Sequence, residues 1–101
     1  MATIQYPFRY QYEAVAASAT AQVLGGTGAT GDYLHQLVVS VATAATSTFS
    51  IIDGSTTVFS GAIAAGTGCF TLPVMAVSST GPWKITTGAG VSVLAVGVFS
   101  A

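Results

Sequence analysis

The chain has 101 residues, enough for one domain with one modest core. Only 5% of it is charged and the net charge is -1, against roughly 25% charged residues in an ordinary soluble domain. That leaves no basic face to bind a phosphate backbone, which excludes nucleic acid as a partner.

No apolar run approaches the roughly 20 residues of a membrane helix. The first twelve residues have neither the basic start nor the apolar core of a signal peptide, so a cytosolic origin without a membrane span is expected. Ala, Gly, Ser and Thr make up just over half of the chain. A surface so poor in charge predicts a subunit that other subunits cover.

The apolar residues recur with a period of two almost from the start. Tyr6, Phe8, Tyr10 and Tyr12 alternate with Pro7, Arg9, Gln11 and Glu13, so four rings share one side of an extended segment. Pro7 donates no ladder hydrogen bond, which restricts the segment to an arm or an edge strand. We read residues 1–18 as this extended N-terminal arm or edge strand, and residues 19–101 as a single β-sandwich domain. The rings either form the first strand of the fold or dock on a partner, and docking is the favoured reading. In that reading Tyr6, Phe8, Arg9, Tyr10 and Tyr12 bind the partner. Residues 13–21 and 41–46 are rich in Ala, but their Ser and Thr content and short length disfavour helices beyond one turn near residues 13–17.

Seven further strands are expected, near residues 19–24, 33–42, 48–53, 57–60, 69–77, 83–86 and 91–99, where Val, Ile, Thr and Phe are enriched. Short runs of glycine and other turn residues separate them. Asp53-Gly54 is the strongest hairpin signal, because both residue types tolerate positive φ. Short strands at this spacing with no helix between them predict an all-β protein, an antiparallel β-sandwich of jelly-roll type.

Two strands are apolar on both faces. In the last, Val91, Val93 and Ala95 oppose Leu94, Val96 and Val98; in the second, Leu37, Val39 and Val41 oppose Leu34 and Val38. An antiparallel sheet with one solvated face carries a polar set there. We therefore expect Leu34, Val38, Leu94, Val96 and Val98 to form a subunit interface.

No residue set specifies a reaction, and the chain reads as a non-enzyme. The loop at residues 25–28 lacks the Lys and following helix of a phosphate loop. Asp32 and His35 fall on opposite sides of a strand, and His35 reads as half-buried and bonded to a neighbour. One His and scattered carboxylates make no metal site, and no cofactor is expected. Cys69 reads as a buried small hydrophobe. Trp83 either caps the core or anchors a contact, and the core is the favoured place.

Residues 31–34, 50–54 and 81–90 (GDYL, SIIDG and GPWKITTGAG), with the Val-rich terminal strand, resemble small structural proteins of tailed bacteriophages. The likeness spans residues 20–101 and is greatest to capsid decoration, or cement, proteins. It implies a β-sandwich or jelly-roll body on the outer capsid surface of a virion, made in the host cytoplasm. The implied partners are the major capsid protein and further copies of the chain, as a homotrimer. The resemblance carries no contact residues. A tail, neck or fibre-attached role is the alternative, and a host- or carbohydrate-binding module is the second.

Overall fold

The computed structural model describes residues 10–42, 48–62 and 68–100. They form eight strands: β1 Gln11–Val15, β2 Gln22–Val23, β3 Tyr33–Val41, β4 Thr48–Asp53, β5 Thr56–Ala62, β6 Gly68–Val77, β7 Trp83–Thr87 and β8 Val91–Val98. The seven expected strands are β2 to β8. The first, β1, extends the sandwich back into the segment read as an arm or edge strand. Its five residues pair with β8, Gln11 opposite Gly97 through Val15 opposite Val93.

The strands make two antiparallel four-stranded sheets. Sheet A has the order β1-β8-β3-β6 and sheet B the order β2-β7-β4-β5. The pairs β1–β8, β2–β7, β3–β6 and β4–β5 nest inside one another, as in one long hairpin. Its tip is the two-residue turn Gly54-Ser55, one residue later than the Asp53-Gly54 signal suggests, because Asp53 stays in β4 opposite Thr56; Gly54 has φ 63°. A Cβ at Gly54 would lie 2.7 Å from the Thr80 backbone, so both the turn and the packing require glycine. Only β4 and β5 are consecutive within one sheet.

The inner faces form the core: Val15, Leu34, Leu37, Val39, Val41, Val91, Val93, Ala95 and Phe99 from the sheet A side, and Phe49, Ile51, Trp83 and Ile85 from sheet B, with Leu24 beside β2. Trp83 is buried, and its indole N–H donates to the Asp32 carbonyl at 2.9 Å, which places it in the core as favoured. Gly97 faces inward in β8, where a Cβ would collide with the Tyr33 carbonyl and lie 2.9 Å from the Phe99 ring.

Hydroxyls clamp the crossings between sheets. The Thr87 hydroxyl accepts from Ala19 N at 2.9 Å and donates to the Ala16 carbonyl at 2.6 Å, and the Thr86 hydroxyl accepts from Ala21 N at 2.9 Å. These bonds carry the chain from β1 to β2. A chain so rich in Ser and Thr thus satisfies its loop backbone with side-chain oxygens.

One strand departs from the alternation read in the sequence. Between Leu34 and Gln36 the register shifts: Leu34 lies opposite Gly97 and Gln36 opposite Val96, so His35 is an extra residue against β8. Across β6 the register also shifts, but there the extra residue lies in β6: Leu34 is opposite Ala76 and Gln36 opposite Pro73, with Met75 at φ 51°. A bulge reverses which parity faces inward. Leu34 therefore points into the core with Leu37 and is fully buried, at 0% exposure. Its expected place on the outer face of β3 is corrected: it belongs to this chain's own core.

Candidate assembly surface

The paired registers define the outer face of sheet A as cross-strand rows, since directly opposed residues share a face. Tyr33 lies between Val98 and Val77. Gln36 and Val96 continue to Tyr12 on one side and Pro73 on the other. Val38 and Leu94 continue to Ala14 and Thr71, and Ser40 lies between Ser92 and Cys69. No Asp, Glu, Lys or Arg stands in any row. Tyr12, Met75 and Val77 are exposed at 76%, 62% and 61%, and Leu94 and Val98 are also exposed. A depression of about 340 Å³ opens where Ala14, Val38, Ser40 and Leu94 meet.

Of the five expected interface residues, the structure brings Val38, Leu94, Val96 and Val98 together on this face, and Leu34 lies beneath it. Of the expected partner-binding residues, Tyr10 and Tyr12 are exposed, whereas Tyr6, Phe8 and Arg9 lie outside the described residues. Tyr10 leads into β1 and stacks on His35, ring centroids 4.5 Å apart at 24°. The Tyr33 hydroxyl meets His35 Nδ1 at 2.9 Å. His35 is thus half-buried and bonded to a neighbour, as expected. Burial and the adjacent Tyr10 phenol push the Tyr33 hydroxyl up from its ordinary value.

Cys69 is exposed, which corrects its expected burial. It pairs with Ser40 at the start of edge strand β6, so no neighbouring strand covers it on that side. The β6 residues of the face escaped the sequence reading. Leu72, Val74 and Ala76 pack on the core, while Met75 and Val77 are equally apolar and point outward, so alternation carries no signal there.

The outer face of sheet B differs. Ser50 lies opposite both Thr86 and Ser60, and Ile52 opposite Lys84 and Thr57. The Ser50 and Ser60 hydroxyls are 3.2 Å apart. Hydroxyls and one lysine dominate this face, with Val23 and Ile52 flanking Lys84 in one row.

All three carboxylates in the chain tie loops together. Glu13 accepts from Gly25 N at 2.7 Å and Gln22 Nε2 at 2.8 Å, joining β1 to the end of β2. Asp32 is buried and accepts from Ala29 N at 3.0 Å, Ser100 N at 2.9 Å and the Ser100 hydroxyl at 2.7 Å. Asp53 accepts from Ser79 N at 2.9 Å, Thr80 N at 3.0 Å and Gly81 N at 3.3 Å, and from the Ser79 hydroxyl at 3.0 Å. Burial raises the Asp53 pKa, but the Ser79 and Thr80 hydrogen bonds outweigh it and hold the carboxyl at about 2. Among the described residues no cluster of three or more His, Cys, Asp or Glu is placed to hold a metal ion.

No protein-family model, curated protein or solved structure matches this chain.

Proposed function

We propose that the chain is a structural virion protein that decorates and stabilises a bacteriophage capsid by bridging major capsid proteins, without catalysis. The observation that carries this reading is the outer face of sheet A, uncharged and largely apolar across four strands. Such a face is expensive to leave in water and suited to permanent contact. The anchoring roles of Glu13, Asp32 and Asp53 favour a non-catalytic subunit, because each carboxylate is engaged by loop N–H donors. The strand orders β1-β8-β3-β6 and β2-β7-β4-β5 favour a jelly roll, the body that the resemblance to cement proteins implies.

In this role the body associates with other copies through sheet A, and the segment around Tyr6, Phe8, Arg9, Tyr10 and Tyr12 meets the capsid protein. Binding only the closed lattice stabilises it by mass action. Several linked copies raise the effective concentration at each lattice site. A homotrimer is one closed way to cover the face and a two-fold pair is another.

Quantitative mass spectrometry of purified particles from the phage that encodes the chain tests the role. On the order of hundreds of copies per particle are expected, since a shell protein follows the lattice symmetry. A handful to a few dozen copies overturns the shell role in favour of a tail or neck component, and absence from the particle overturns both.

A further inference from the structure

Resting on the reading of sheet A as an association face, we propose that this face closes on a second copy of the chain and that His35 makes the closure proton-sensitive. Strands about 4.8 Å apart and same-face residues about 6.8 Å apart give four strands and four rows a footprint on the order of 500 Å² in projection. That is near the top of the range for a free monomer's largest apolar patch. It is also of the order of the roughly 800 Å² of accessible surface that each partner contributes to a standard interface. A face lacking any Asp, Glu, Lys or Arg complements another of its kind, because neither copy brings a charge that needs a counter-ion. A charged partner surface would lose its hydration here with no compensating pair.

His35 is the chain's single histidine, and it sits on this face. Tyr10 stacks over it from the β1 side, and Tyr33 on its own strand meets its Nδ1. The adjacent face residues of β8 are Val96 and Val98, and those of β6 are Pro73 and Val77, none of them titratable. Asp32, three residues earlier, turns its carboxylate to Ala29 and Ser100. Among the described residues the groups facing the imidazole are therefore two phenols and aliphatic side chains.

In the free subunit an imidazolium at His35 keeps contact with water and gains from the Tyr10 ring. Under a second copy it loses the water and finds no carboxylate, and the other copy brings a second imidazole of the same sign. Covering the face therefore favours the neutral form, and protonation favours the free subunit. Association is therefore stronger at neutral pH than in mild acid, because it requires the uncharged imidazole.

Sedimentation equilibrium of the purified full chain at about pH 7.5 and about pH 5.5 tests this, with His35→Gln and Leu94→Glu alongside. Asp53 stays ionised at both values, so its loop anchor is unchanged. Expected are wild-type self-association at least tenfold weaker at the lower pH, a His35→Gln variant that associates nearly equally at both, and loss of association by Leu94→Glu. Wild-type association of equal strength at both values, still lost in Leu94→Glu, overturns the proton sensitivity and leaves the face standing. A His35→Gln variant that keeps the wild-type pH response overturns His35 as the sensor. A wild-type chain that stays monomeric at both values overturns the face itself, the cover then being the chain's own first nine residues or another protein.

Discussion

The two outer faces of the sandwich are built by the same antiparallel pairing and differ in what their side chains can leave in water. On sheet A the rows run through Tyr12, Val96, Gln36, Pro73, Ala14, Leu94, Val38, Thr71 and Val77, with Ser40 and Ser92 at one end and no charge; on sheet B they run through Ser50, Thr86, Ser60 and Thr57, with Lys84 between Val23 and Ile52. Both sheets bury their inner faces in one core, so folding alone gives no reason for the asymmetry. An apolar outer face costs solubility and contributes nothing to a monomer's stability beyond local cross-strand contacts. Under the proposed function the molecule has an inside, a covered side and a wet side.

The sharpest break in that comparison lies within β3. Leu34→Ala should cost about 3 kcal/mol of folding stability, because it leaves a cavity in a fully buried site. Val38→Ala, four residues on, should cost under about 1 kcal/mol in the isolated subunit. Chemical denaturation of both variants measures the difference, and equal losses would contradict the bulge that separates their faces.

A second test sets one sheet against the other. Leu94→Glu should weaken self-association by about 100-fold, roughly 2.7 kcal/mol, since the carboxylate is stranded in an apolar contact. Thr57→Glu on sheet B should leave association within about twofold and change stability by under about 0.5 kcal/mol, since Thr57 is exposed on the edge strand β5. Analytical ultracentrifugation reads both, and comparable losses would erase the distinction between the faces.

The smallest effect concerns acid. With the Asp53 carboxyl held at about 2 in the fold and about 3.9 in an unfolded chain, its contribution to stability is complete above pH 4 or so. It is lost as pH falls from there toward 2. Asp53→Asn should flatten this part of the stability profile in thermal melts between about pH 5 and 2. An unchanged slope would overturn Asp53 as the source of the acid sensitivity.

Sequence periodicity was enough to locate the strands β2 to β8, the β4–β5 hairpin to within one residue of its Gly54-Ser55 turn and the double-sided apolar character of β8, because a period of two is a local property of the chain. Val38, Leu94, Val96 and Val98 were legible as outward residues for that reason, and Trp83 as core. Leu34 was not. Its orientation depends on one extra residue at His35, and a bulge appears only when the partners in β8 and β6 are known. The outward Met75 and Val77 were hidden because both faces of β6 are apolar, and Cys69 because burial at an edge depends on which strand comes next.

Composition and spacing determined that this chain would be all-β and scarcely charged, since those follow from which side chains are present and how far apart they stand. Tertiary structure decided which outer face is the largely apolar one. It turned the three carboxylates inward to hold loop N–H groups, shifted the register of β3, and gathered the remaining apolar residues of β1, β8, β3 and β6 onto one surface. The physical reason is that a face is a property of four strands in register, and only the nested pairing of distant segments puts them side by side.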